Sequence, residues 1–466
     1  MCTVTDPIQP PCFVYCRCKD MVFKISGPEN NTISARINKL LESYELSDCS
    51  FLISGKIFKA HKLILGITSP VFEAMFYGPL SSNDAIIITD IEPNIFQTLL
   101  NYIYTDSIKI KSVEEAYDLL YVSRKYMLEY LTEACAAYLI RHINIDNVIS
   151  ILNYPDYMQD KEVVSCALRL FGKHAEYLFQ EHTQSINPVC MQIIVQSNEM
   201  NITEKDLIKH VFEWTSYYCE QNDIKNTLVN RREVLDKNGI FKHLRFYSLS
   251  PNDMKEVINY NDNLLNTYEV EDIEKFDISA MTVNEKILGS LDNKFIPRKT
   301  ISFQWEICQR TPIRSEPPII INLNNTTVQT RININETVAI SSLNVPSRMT
   351  SVIEYVNPVA KLYNEQFTIT IFSEAENSIV RKMQFKKNVE YDSLIDITFD
   401  KPVILKKNHN YKITFTWPYA NYCPHYYAVQ TRDKCYMNGI IKFLFEDIFR
   451  LACDGGSFLR GLKYSL

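Results

Sequence analysis

The sequence predicts a multidomain chain: an α/β unit first, then an all-helical region, then an all-β sandwich. Three observations carry that expectation. Apolar residues alternate between short runs and helical stripes up to about residue 145, keep a helical period to about residue 295, and fall to a period of two beyond Pro297. Charge divides at the same place, with 21 Lys+Arg against 15 Asp+Glu in 296–466 and 28 against 40 before it. A chain of 466 residues also has room for two to four domains, each with its own core.

Residues 1–33 lack either periodicity and carry Pro7, Pro10, Pro11 and Pro28, which predicts a flexible tail. From Ala35 to Leu46, Ile37, Leu40, Leu41 and Tyr44 recur at helical spacing, so a short amphipathic helix is expected. SFLIS and KIFKA flank Ser54-Gly55 and read as a β-hairpin. HKLILGIT and PVFEAMF read as two successive helices, because Ser69 suits an N-cap and Pro70 the first helical position. AIIITDI is a third strand, followed by a helical stripe of Ile95, Phe96, Leu99, Leu100, Ile103 and Tyr104.

Helical segments then succeed one another from Ser112 to about Asn293, among them KEVVSCALRLFGKHAEYLF as one helix and TEKDLIKHVFEWTSYYCEQ with Thr203 as its N-cap. Beyond Pro297, TISFQWEI, PIIINL, TVQTRININ, FTITIF, IDITF and YKITFTW are short β-rich runs set apart by turn residues, the pattern of an antiparallel sandwich. The expected domains are therefore 34–145, 146–295 and 296–466.

Several function classes are disfavoured. No apolar run approaches the roughly 20 residues needed to cross a bilayer, and the N-terminus has no basic-then-apolar leader, so no membrane partner is expected and the location is read as cytoplasmic. In that compartment the 13 cysteines are expected as reduced thiols. Basic residues are too scattered for a nucleic-acid partner. Phosphate-cradling, nucleophile-elbow and zinc-protease motifs are absent, and 11 glycines leave little for such loops. Cys12, Cys16 and Cys18 supply three thiols where structural zinc takes four ligands, and Cys423, His425 and Cys435 are demoted on the same ground. No cofactor, metal or catalytic residue is expected, and Cys190 and His174 read as residues of the helical interior.

With these residues laid out, LSDCSFLISGKIFKAHKLILGITSPVFEAMF and FQTLLNYIYTDSIKI resemble the BTB/POZ signature: an acidic residue before the first strand, then F-x-A-H-K, S-P-V-F and I-Y-T. TEKDLIKHVFEWTSYYC and HLRFYSLSPNDM are similar to BACK helices, and LIDITFDKPVILKKNHNYKITFTW with the C-terminal GIIKFLFEDIFRLACDGGSFLRGLKY resembles the PHR sandwich. The order matches the BTB–BACK–PHR family. The resemblance implies a non-catalytic adaptor that dimerises, holds cullin-3 and recruits a protein substrate for ubiquitination. Two departures stand out. The family's I-Y-T-G is Ile103-Tyr104-Thr105-Asp106 here, and the stretch from Thr300 to Leu323 has little of the usual glycine-rich PHR opening.

Residue expectations follow. Asp48, His61 and Lys62 form the BTB structural signature; His61 is read as a hydrogen-bonding residue of the strand-to-helix join, since no acid–nucleophile set accompanies it. By resemblance the cullin-facing surface lies around the helix of Leu99 and Tyr104, which are taken as cullin-binding residues. The helix at 35–46 is too short to stand alone, so Ile37, Leu40 and Leu41 are expected at the dimer interface. Two further readings compete. A scaffold for transcriptional or cytoskeletal partners would carry a zinc-finger array or a basic DNA-binding helix, and a cysteine hydrolase would need an exposed low-pKa thiol.

Overall fold

The structure, a computed structural model, describes residues 33–79, 85–155, 160–274, 297–310, 318–350, 362–418, 424–429, 435–448 and 458–466. Residues 1–32 of the expected tail, with Cys12, Cys16 and Cys18, lie outside them, as does Cys423. The chain forms two compact units, Met1–Leu139 and Ile140–Leu466. The first boundary thus falls slightly before residue 145, and the helical and β regions, expected as separate domains, belong to one unit.

The first unit runs α1 (Ile33–Ser43), β1 (Cys49–Ile53), β2 (Lys56–Ala60), α2 (Lys62–Thr68), α3 (Pro70–Tyr77), β3 (Ile86–Ile88), α4 (Pro93–Thr105), α5 (Val113–Lys125) and the start of α6 (Glu129–His142). Its sheet has the order β2-β1-β3, the first pair antiparallel and the second parallel. The hairpin closes on two residues with positive φ, Ser54 at 46° and Gly55 at 80°, the combination a tight twisted hairpin needs. Ser69 separates α2 from α3 by accepting the Phe72 amide, with Pro70 as the first helical residue. The core is aromatic: Phe51 packs at 5.7 Å on Phe72 and 5.0 Å on Phe96, and Phe72 stacks at 4.2 Å on Tyr126.

The second unit continues with α7 (Val148–Leu152), α8 (Lys161–Lys173), α9 (Ala175–His182), α10 (Pro188–Gln196), α11 (Glu204–Gln221), α12 (Leu228–Lys237), α13 (Pro251–Ile258) and α14 (Thr267–Glu274). Side chains of Asp160, Asn187, Thr203, Thr227 and Ser250 cap five of them. The stretch expected as one helix from Lys161 breaks at His174, whose φ of −112° and ψ of 22° end α8 and open α9.

Twelve described strands follow: β4 (Glu306–Gln309), β5 (Ile319–Ile321), β6 (Thr327–Ile334), β7 (Val338–Pro346), β8 (Leu362–Ser373), β9 (Ser378–Glu390), β10 (Leu394–Leu405), β11 (Asn410–Thr416), β12 (His425–Tyr427), β13 (Cys435–Asn438), β14 (Ile441–Ile448) and β15 (Gly461–Ser465). One sheet has the order β10-β7-β15-β4, another β13-β14-β6-β11-β8-β9, and β12 pairs with β5. Inward residues of the two larger sheets, among them Ile340, Leu343 and Ile397 from one and Ile332, Ile369 and Ile413 from the other, share one buried cluster.

The run TISFQWEI does not make the expected strand before Glu306. Its start is a strap across the helices instead. The Lys299 carbonyl accepts from the Met200 amide at 2.8 Å, the Lys299 amide donates to Asn198 O at 2.9 Å, and the Asn201 side chain bonds both amide and carbonyl of Ile301. A Cβ at Gly172 would come within 2.7 Å of Ile301 Cδ1, so that glycine makes room for the strap. Arg298 enters the helices with it, pairing with buried Glu204 and donating to the carbonyls of Val195 and Ser197.

Candidate protein-interaction surface

The sequence signature proves to be the frame of the first unit. Asp48 Oδ1 accepts the Lys62 backbone amide at 2.7 Å and so caps α2, a task its N-cap residue His61 leaves undone. The Lys62 ammonium lies 5.9 Å over the Phe76 ring. His61 ties three segments together: Nε2 lies 2.7 Å from the Glu45 carbonyl, and Nδ1 lies 2.7 Å from the hydroxyl of Tyr104.

That bond corrects an expectation. Leu99 is 0% exposed and Tyr104 3%, so neither offers a side chain to a partner. The whole stripe through Ile95, Phe96, Leu99, Leu100, Ile103 and Tyr104 is buried, and burial pushes the Tyr104 phenol above its ordinary pKa. Asp106, where the family has glycine, adopts the left-handed conformation itself (φ 51°, ψ 22°) and closes α4 by donating its amide to Tyr102 O at 2.8 Å. The turn is preserved. Of the residues expected at the dimer interface, Leu41 is buried where α1 packs on α4 of its own chain; Ile37 and Leu40 keep part of their surface.

Exposed apolar residues gather elsewhere. Leu63 and Ile67 lie one turn apart on α2, Ile67 78% exposed, with the Tyr77 ring over Gly66 between them. At the α5–α6 turn stand Met127 and Tyr130, the latter 82% exposed. Met127 holds φ at 54°, a position helices usually give to glycine, and Leu128 N donates to Ser123 O at 2.8 Å to complete the cap. The signal for the α2 pair was present in HKLILGIT, a helix apolar on more than one face. A strained Met between helices carries no sequence signal.

In the sandwich, a buried polar network sits where strands meet their connecting loops. Glu365, 0% exposed, accepts from the Tyr363 hydroxyl at 2.8 Å, the Tyr427 hydroxyl at 2.9 Å and Arg348 at 3.1 Å, while Trp417 Nε1 donates to Tyr427 at 2.9 Å. Such a network fixes the strand ends that carry it.

Burial pushes Cys49, Cys135 and Cys308 up to about 12, away from the thiolate a nucleophile needs. His425 and Cys435 stand on strands of different sheets. Among the described residues no helix is long and apolar enough to cross a membrane.

A three-stranded α/β unit framed in this way is a BTB/POZ domain, a protein-interaction module, and a model of that family matches residues 37–143. The chain is similar to BTB/POZ domain-containing protein 6 of Xenopus laevis, 30% identical over 207 residues, and to protein 6-A of Danio rerio, 27% over 212. Protein 3 of Homo sapiens is 28% identical over 212 residues. These alignments cover 43–44% of this chain and 39–40% of each relative, so the chain spans about two fifths of the curated relatives it matches. The BTB domain of zebrafish PATZ1 aligns over 23% of this chain and 88% of that one, at 20% identity and a TM-score of 0.21, too low to bear on the fold.

Proposed function

We propose that the chain is a non-catalytic adaptor that self-associates and holds cullin-3 through its first unit while its sandwich recruits a protein for ubiquitination. One observation carries this reading: a BTB/POZ unit with a complete core of its own leaves Leu63, Ile67, Met127 and Tyr130 in solvent. We assign Leu63 and Ile67, with the exposed parts of Ile37 and Leu40, to self-association. Met127 and Tyr130 take the cullin contact first expected of Leu99 and Tyr104. The helices of the second unit take the BACK role and the sandwich the PHR role, with the substrate received by the sandwich. The assembly works in the cytoplasm.

The test is light scattering after size exclusion, on the protein alone and with the N-terminal domain of cullin-3. A dimer that gains two cullin chains supports the adaptor. Tyr130→Glu should then abolish cullin binding with the dimer intact, and Ile67→Glu should give monomers. A dimer that ignores cullin-3 at micromolar concentration favours a ligase-free scaffold instead.

A further inference from the structure

Among the described strands, the six-stranded sheet of the sandwich ends on β9. Its register to β8 is unbroken from Arg381, opposite Ile371, to Glu390, opposite Leu362, and a bulge at Val380 marks where that regular stretch begins. Among the described residues β9 pairs with no other strand, and no backbone group from Lys382 to Val389 bonds outside the β8 ladder. The N–H and C=O groups on its far side therefore point away from the sheet, the condition in which an edge accepts a further strand.

Positive charge gathers along this edge. Lys382, Lys386 and Lys387 are exposed and make no ion pair with any described residue, whereas Arg381 before them is paired with Asp400. Lys382 and Lys386 share the outer face of the strand, opposite Thr370 and Gln366 of β8. The row from Lys382 continues through Thr414 of β11 to Gln329 of β6 without meeting a carboxylate. On the inner face Phe385 belongs to the core, and Met383 and Val389 are partly buried against it. The Lys387 ammonium lies 5.9 Å from the centre of the Phe385 ring, so this lysine follows the same apolar rim. Lysines on an edge oppose pairing with a second copy, because two β9 strands would set like charges side by side. They favour a strand of opposite sign.

We infer that β9 binds an extended segment of another protein in which acidic residues alternate with apolar ones, adding it to the sheet as a further strand. Main-chain hydrogen bonds hold the segment in place. Its acidic side chains meet Lys382 and Lys386 on the outer face, and its apolar side chains cover Met383 and Val389 on the inner one. The inference rests on the adaptor reading for the idea that the guest is a recruited protein, and it gives that guest a chemistry. Its test uses no cullin-3, so it can fail while the adaptor reading stands.

Fluorescence anisotropy of a labelled synthetic nonapeptide that alternates glutamate with valine, titrated with the full chain, tests the edge. Saturable binding is expected, weaker as salt is raised. A twin peptide with lysine in place of glutamate should not bind. Reversing both outer charges, Lys382→Glu with Lys386→Glu, should weaken binding about tenfold, since two exposed attractions become repulsions, and Lys237→Glu on α12 should leave it unchanged. Thermal unfolding verifies that each variant is folded. Charge alone could also draw the peptide to the surface, so hydrogen exchange supplies a second readout. Exchange across Lys382–Val389 should slow when the peptide is bound, because the amides on the far side gain acceptors. Absence of saturable binding overturns the inference, as does a doubly reversed variant that binds like the parent. Binding that leaves exchange in β9 as fast as before also overturns it, since that result marks an ionic contact with no added strand.

Discussion

The hydroxyl of Tyr104 stands 2.7 Å from Nδ1 of His61 and 2.9 Å from its backbone nitrogen, joining the end of α4 to the junction of β2 and α2. The proton positions follow from chemistry. A carbonyl only accepts, so Nε2, 2.7 Å from Glu45 O, carries the proton, and Nδ1 accepts from the Tyr104 hydroxyl while that oxygen accepts from the His61 amide. Tyr104→Phe therefore leaves a buried acceptor and a buried donor unmatched, at an expected cost of about 1–3 kcal/mol. Urea denaturation measures it. Cullin-3 binding should persist at temperatures where the variant is folded; a fully stable variant that has lost cullin-3 would return Tyr104 to the partner surface.

Asp106 provides a second test in the same unit. It holds φ at 51°, which an L-residue adopts at a cost of about 1–2 kcal/mol and glycine at almost none. Asp106→Gly also frees the unfolded chain, which cancels part of the gain. The net expectation is a stabilisation of up to about 1 kcal/mol, read as a rise in melting temperature. Because Asp106 already makes the turn, the substitution should leave partner binding as it was, and a gain of cullin-3 binding would show that the side chain obstructs that surface.

Local signals were legible in the sequence. Ser54-Gly55, Ser69-Pro70 and Thr203 declare a turn, a helix boundary and a cap through the conformations and hydrogen bonds those residues prefer, and each appears in the structure. Alternation in TVQTRININ and YKITFTW likewise marks strands with one buried face. What failed needed knowledge of a distant partner. Residues 300–305 alternate like a strand, yet their neighbours hydrogen-bond to the α10–α11 connection. The helical period continues through His174, where packing against Phe303 and the Asn201 bonds accompany the break. A stripe shows which side of α4 is apolar but not whether another element covers it, and so the interaction surface was placed on Leu99 and Tyr104.

Arg298 and Glu204 make the strap a structural lock. Both are buried, and the pair lies at the point where the chain leaves the helices for the sandwich. Arg298→Met leaves the Glu204 carboxylate without its cation, an expected loss of about 3–5 kcal/mol. The consequence extends to cooperativity. Trp214 reports on the helices and Trp417 on the sandwich, so variants retaining one tryptophan each follow the two regions separately. Coincident urea transitions are expected with Arg298 present and separated ones after its replacement. Coincidence in both proteins would show that the remaining strap bonds suffice.

His174 gives the unit an acid-sensitive point. Burial, and next to it the charge of Lys173, lowers its pKa from 6.5 to about 4, and its ring packs edge-on at 5.4 Å against Phe303. Above pH 6.5 the imidazole is neutral in both folded and unfolded chains, and stability owes nothing to its titration. Between 6.5 and about 4 the unfolded chain takes up a proton that the folded chain refuses, so stability falls as pH falls, by at most about 1.4 kcal/mol per pH unit. Below about 4 the slope vanishes because both states are protonated. Carboxylates titrate over part of the same range, but they do so in parent and variant alike. The difference between the parent and His174→Gln, measured by urea unfolding in phosphate-free buffer, therefore isolates the imidazole. The two curves should converge in slope above pH 6.5 and diverge below it, with the parent the steeper. Parallel curves from pH 7 to 4 would mean that the ring is solvated enough to be protonated in the folded protein.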